Sequence, residues 1–355
     1  MADTTFVNGV TLTDEDWFND LNRLHYTIFG DPSTVGAART NLGAIQNCFC
    51  GRLTLATATP VMTSDQTAKT TIYYTPYKGD VILIYDGTYM VPTVFTELSQ
   101  ATTDSTKSPA AVTTNSNYDL FVWSDSGTIR CTRGPAWSSD TARGTGAGTT
   151  ELELVKGVYL NKVSITNGPA ANRGTYVGTI RSNGSSQIDW KLGSSAAGGG
   201  EAWLGVWNMY NRVDERPRVQ DNVDSYTYQS GTIRSMNNST TNRISAIRGL
   251  DDDAVLVQRT QIVQISASAD QPQIGLALDA TNTLGTAPAE MQQIFTGSSS
   301  FYQKAYASYA GRPGIGWHFW QATEKCNGTT APCTFYGDSG TTDTFSNSLT
   351  ATMRA

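Results

Sequence analysis

The stretch GDVILIYDGTYMVPTVF, residues 79–95, decides the fold class. Val81 to Tyr85 is a short run of β-branched, aliphatic and aromatic residues. Asp86-Gly87 follows, a dipeptide that supplies the positive φ angles of a tight hairpin turn. Met90, Val91, Val94 and Phe95 then resume the apolar pattern. Short apolar runs bounded by turn residues read as paired strands; a helix needs ten or more residues at a 3.6 period.

The same pattern continues in both directions. RLTLATATPVMT (52–63) and KTTIYYTPY (69–77) precede the hairpin. YDLFVWSDSGTIRCTRGPAW (118–137) forms another, turning at Asp125-Ser126-Gly127. ELELVKGVYLNKVSI (151–165) turns near Gly157, and GTYVGTIRS (174–182) is one further strand. About seven strands at close spacing predict a β-sandwich or barrel-like domain over residues 47–220. GSSAAGGGEAW (193–203) reads as a flexible loop. In the connector after it, Trp203, Trp207 and Tyr210 fall four and three apart, which suits either a helical turn or irregular chain. Pro217 among charges marks a boundary near residue 220.

From there DSYTYQSGTIRSMN (224–237), DAVLVQRTQIVQISASA (253–269) and FYQKAYASYAGRPGIGWHFWQATE (301–324) alternate again. They predict a second antiparallel sandwich, jelly-roll-like, over residues 221–355. The expected architecture is mainly β: two antiparallel sandwich or jelly-roll-like domains behind a short helical segment.

That segment is TDEDWFNDLNRLHYTIFG, residues 13–30. Thr13 is an N-cap, and Asp14, Glu15 and Asp16 complement the positive end of the helix dipole. Trp17, Leu21, Leu24 and Ile28 recur at four, three and four, a narrow heptad seam that Phe18 widens slightly. A second helix starts at Asp31-Pro32, places Val35, Ala38 and Leu42 on one face and stops at Gly43. Helices this short are not stable alone in water, so the seam requires a partner. Residues 1–46 therefore read as an assembly element, not part of a domain core.

Composition excludes several functions. Charged residues make up 16% of 355, and the net charge is −6. No Lys/Arg stripe is present, which argues against nucleic-acid binding. No apolar run approaches the roughly 18 residues of a membrane span. No basic-then-apolar leader opens the chain, so export by that route is not expected. The five cysteines show no framework. Cys326 and Cys333 could close a hairpin base or remain buried thiols, and Cys48-Phe-Cys50 has the wrong spacing for zinc.

Catalytic signals are weak. There are two histidines, His25 and His318, and no G-x-S-x-G, H-E-x-x-H or P-loop element. Asp251-Asp252-Asp253 could ligate calcium but reads better as an acidic turn. No cofactor or metal site is expected. The aromatic cluster Trp317-His318-Phe319-Trp320 is the main binding candidate. Alternation puts Trp317 and Phe319 on one strand face and His318 and Trp320 on the other. One face is core, and the other is available for sugar rings or protein contacts.

The segment FVNGVTLTDEDWFNDLNRLHYTIFG (6–30) followed by AARTNLGAIQ (37–46) resembles the front ends of tailed-bacteriophage fibre and appendage proteins. CGRLTL (50–55), TTIYYTPYKGDVILIYDG (70–87), VWNMYNRV (206–213) and DSYTYQSGTIRSMNNST (224–240) are similar to segments of phage minor virion proteins. The resemblance implies a structural, non-enzymatic virion protein made in a bacterial cytoplasm. It implies a homotrimer mounted through residues 1–46 on capsid, neck or tail, with β domains that meet a host-surface glycan or protein. Trp17, Phe18, Leu21, Leu24, Ile28, Val35 and Leu42 would then anchor and oligomerise the chain, and Trp317, His318 and Trp320 would contact the receptor. The alternatives are a glycan-binding capsid or neck decoration protein, and a polysaccharide depolymerase with a carboxylate pair.

Overall fold

A computed structural model of the chain describes residues 49–265, 271–283, 293–294, 301–327, 331–338 and 346–355. The expected helices, with Trp17, Phe18, Leu21, Leu24, Ile28, Val35 and Leu42, lie outside the described residues, as does His25. Among the described residues the regular structure is β-strand, with one short 3-10 turn at Met236–Asn238.

The opening stretch forms the hairpin Val81–Tyr85 / Met90–Val94, with Val81 opposite Val94 and Tyr85 opposite Met90. Its turn spans four residues, 86–89, where a two-residue Asp-Gly turn was expected. Asp86 explains the difference: its Oδ1 accepts the backbone N–H groups of Thr88 (2.7 Å) and Tyr89 (2.8 Å), closing an Asx-type loop. Ile82, Leu83 and Ile84 are all buried. Ile82 and Ile84 join the main core, while Leu83 packs with Met90, Val158 and Leu160. Burial on both faces is why this strand is continuously apolar.

Around the hairpin, Thr175–Arg181 pairs with Asn117–Asp125, Val158–Asn161 and Val206–Asn208 in a six-stranded sheet. A three-stranded sheet of Gly51–Thr54, Thr71–Pro76 and Leu98–Ala101 packs beside it. Two eight-stranded sheets make up the rest. The first is centred on Gly316–Cys326, flanked by Arg243–Arg248 and Pro272–Leu278. The second is centred on Val255–Ile265, flanked by Phe301–Gly311 on one side and by Ser348–Arg354 and Cys333–Tyr336 on the other. Ile274, Leu276, Trp320 and Ala322 of the first sheet share a core with Val257, Ala305, Ala307 and Tyr309 of the second.

Both large sheets recruit strands from before residue 220. Gln66–Lys69, Ile188–Lys191 and Ala202–Leu204 extend the first, and Ser195–Ala196 and Asp214–Glu215 join the second. The expected boundary thus falls inside the strand Arg218–Asp221, and one hydrophobic cluster runs from Leu53 to Ala355. Two pairs are parallel, Ala202–Leu204 with Arg243–Arg248 and Ser195–Ala196 with Arg218–Asp221, where antiparallel pairing throughout was expected. The connector that suited either a helical turn or irregular chain is extended. Trp203 and Trp207 sit on successive strands around Gly205, where a Cβ would lie 2.5 Å from the Asp189 carbonyl oxygen.

Cys326 and Cys333 form a disulfide. They end Gly316–Cys326 and begin Cys333–Tyr336, so the bond staples one large sheet to the other. Cys50 and Cys131 are buried thiols.

Candidate functional site

The tips of two hairpins and the segment 170–173 enclose an open groove of about 650 Å³. Its lining includes Tyr85, Asp86, Thr93, Trp123, Asp125 and Arg173. The turn residues read from the sequence place these side chains. Tyr85 and Asp86 end one strand at its turn, and Trp123 and Asp125 end another.

Trp123 is half-buried, and its Nε1–H donates to Thr132 Oγ1 across the hairpin at 2.7 Å. That bond fixes the indole plane and leaves part of the ring facing the groove. Tyr85 donates its hydroxyl to the Gly87 carbonyl at 2.8 Å. The Arg173 guanidinium lies 5.8 Å from the Tyr85 ring centroid. It rests on the hairpin turn, where a Cβ on Gly87 (φ +107°) would come within 2.3 Å of it. The side chain therefore depends on a glycine at that turn. Among the described residues Arg173 has no carboxylate ion pair, and its guanidinium makes one hydrogen bond, a long 3.4 Å contact to the Tyr85 carbonyl.

Both groove carboxylates are held below the usual carboxylate range. The N–H groups of Tyr89 and Thr88 do this for Asp86. Lys107 and Arg130, each 2.7 Å away, do it for Asp125. Two ionised acids serve well as hydrogen-bond acceptors, whereas glycoside hydrolysis needs one acid held protonated near neutral pH. Aromatic faces, two ionised acceptors and an uncommitted guanidinium in an open groove match the chemistry of hydroxyl-rich rings.

The predicted aromatic cluster is placed differently. Trp320 is fully buried (0% exposed) against Tyr309, with ring centroids 5.9 Å apart. His318 is also buried, its Nδ1 2.8 Å from Asp279 Oδ2 and its Nε2 3.3 Å from the Ile315 carbonyl. These two side chains face the interior between the large sheets, which removes them from contact with a receptor. Trp317 is half-buried on the opposite face, where Trp203 packs 4.2 Å away and the Arg181 guanidinium covers it at 5.4 Å. The expected alternation of faces holds, but both faces are occupied by protein.

The acidic turn is satisfied from within the chain. Arg212 grips both Asp252 oxygens at 2.7 Å and also pairs with Asp253, whose backbone carbonyl accepts from Arg248. Among the described residues no cluster of three or more His, Cys, Asp or Glu side chains is placed to hold a metal.

The groove was not anticipated. Its signal in the sequence was the pair of Asp-Gly-type turns, each next to an aromatic residue, since loop tips on a rigid scaffold commonly carry binding residues.

No protein-family model matches the chain, and no curated protein matches it. Among solved structures, one of infectious bursal disease virus, Gx strain, aligns at 12% identity over 86% of this chain and 70% of that one, with a TM-score of 0.25. The mosquito-larvicidal Cry4Aa toxin of Bacillus thuringiensis aligns at 9% identity over 86% of this chain and 51% of the toxin, with a TM-score of 0.19. Likenesses this distant assign neither a family nor an activity.

Proposed function

We propose that this chain is a structural, non-enzymatic attachment protein of a tailed-bacteriophage particle. Residues 1–46 mount it on the particle as a homotrimer, and the β body meets host-surface sugars through the groove between the two hairpins. The groove is the observation that supports attachment: Trp123 and Tyr85 offer aromatic surface beside ionised Asp86 and Asp125 and the unpaired Arg173. The heptad seam and the resemblance of residues 6–46 support the mounting role. Held-down carboxylates favour holding a polysaccharide over cutting it.

Two experiments test this reading. A glycan array with the full chain should show saturable binding that Trp123→Ala weakens more than tenfold. An array on which wild type and variant behave alike would refute the groove assignment. Deleting residues 1–46 should leave a folded β body that no longer joins particles. Incorporation of the truncated chain would refute the mounting role.

A further inference from the structure

A second pocket, of about 330 Å³, lies between the chain at 192–195 and the chain at 216–220, and its character is opposite to that of the groove. Residues 214–219 alternate exposed and buried, so Arg216 and Arg218 project from one face while Glu215, Pro217 and Val219 point inward. Two residues of extended chain span about 7 Å, which sets the separation of the two arginine backbones.

The opposite wall is held against them by backbone hydrogen bonds. Arg218 N–H donates to the Leu192 carbonyl at 2.8 Å, and Gln220 N–H donates to the Ser194 carbonyl at 3.1 Å. Ser195 is in parallel register with Gln220. The approach requires glycine at 193 (φ +88°), where a Cβ would lie 2.3 Å from the Arg218 carbonyl oxygen. The result is two guanidinium groups, the Ser195 hydroxyl and the Gln220 amide around a single hollow, with no carboxylate in its lining.

The charge arrangement is unusual for a chain with net charge −6. Several exposed or half-buried arginines elsewhere are neutralised locally: Arg130 by Asp125, Arg143 by Asp119, Arg212 by Asp252 and Arg243 by Glu201. Among the described residues Arg216 has no ion pair, and Arg218 reaches only Gln220 Oε1, at 3.4 Å. The nearest acid along this face, Asp214, lies 3.8 Å from Arg354 instead.

We propose that this pocket binds the phosphate group of a phosphate monoester, with Arg216 and Arg218 as bidentate donors and Ser195 as a hydroxyl donor. A carboxylate has two oxygens and one charge. A phosphate monoester presents three acceptor oxygens and nearly two charges, which uses the donors of both forks. The pocket volume leaves room for the alcohol that carries the phosphate. This site is independent of the sugar groove.

Calorimetric titration of the full chain at 0.15 M NaCl with inorganic phosphate, glucose 6-phosphate and glucose tests the assignment. Saturable binding of both phosphates and none of glucose is expected. Tighter binding of the sugar phosphate would identify an esterified ligand, and equal binding would identify free phosphate. Arg216→Gln/Arg218→Gln should weaken binding at least tenfold without changing thermal stability, because both side chains are exposed. Ser195→Ala, which leaves the charge intact, should weaken it about threefold. No saturable phosphate binding, or binding that the double variant retains, would overturn the proposal.

Discussion

Replacing Trp320 with alanine should cost the protein stability and leave groove chemistry untouched. Trp320 is fully enclosed between the two large sheets, and its Nε1–H has no hydrogen-bond partner among the described residues. The loss is therefore one of packing. An indole buries about 150–250 Å², which at about 25 cal/mol per Å² corresponds to about 4–6 kcal/mol. Alanine recovers a little of that, and tryptophan-to-alanine changes in cores typically cost about 3–5 kcal/mol. The expected loss is about 4 kcal/mol, read as a shift in the urea midpoint followed by far-UV circular dichroism. Trp123→Ala provides the contrast. Its ring is half-buried and makes one hydrogen bond, to Thr132, so it should lose only about 1–2 kcal/mol while glycan binding weakens more than about tenfold. If Trp320→Ala kept its stability within about 1 kcal/mol and lost glycan binding instead, the interior placement of His318 and Trp320 would be wrong.

Three further outcomes follow from individual contacts. Burial, with help from Asp214 and against the pull of Arg52, raises the Glu215 carboxyl from 4.5 to about 7. The folded state thus prefers the protonated acid, so stability is unaffected below about pH 4.5, falls as pH rises toward 7, and stays reduced above that. At about 1.4 kcal/mol per pH unit the full penalty is about 3 kcal/mol, which solvent screening lowers to about 1–2. Glu215→Gln should match wild type at pH 4.5 and exceed it by that amount at pH 8 in urea unfolding; equal stabilities at both would contradict it. Cys326→Ala/Cys333→Ala opens a loop with a sequence separation of 7, worth about 2–3 kcal/mol of chain entropy, and should make unfolding insensitive to dithiothreitol. Asp119→Ala strands the Arg143 guanidinium, which Asp119 grips at 2.6 and 3.2 Å in the interior, and should cost about 3–5 kcal/mol. A loss below about 1 kcal/mol would show that Arg143 relaxes to solvent.

Much of the local structure was legible. Asp86-Gly87 and Asp125-Ser126-Gly127 marked two hairpins because a turn must sit where the backbone can adopt positive φ, and few residues allow that. The face alternation at 316–320 followed from the two-residue repeat of a strand. The acidic turn at 251–253 read correctly as a turn, though nothing nearby in sequence announced Arg212, some forty residues earlier, as its partner. At the site, Tyr85, Asp86, Trp123 and Asp125 could be placed at hairpin tips, but their convergence with Arg173 could not.

What the sequence determined by itself was strand identity, turn position and the inward face of each strand, because these depend on residues within a few positions of one another. Tertiary structure decided which strands became neighbours. The period of two is the same for every strand, so it does not say that Ala202–Leu204 lies parallel to Arg243–Arg248, or that segments on both sides of residue 220 complete the same sheets. Nor does it say what covers an aromatic face. Trp320 was consigned to the interior by Tyr309 from another sheet, whereas Trp123 was left partly open because the two hairpin tips stop short of each other. Exposure depends on distant packing, so the pattern that predicted the strands could not predict which tryptophan a ligand can reach.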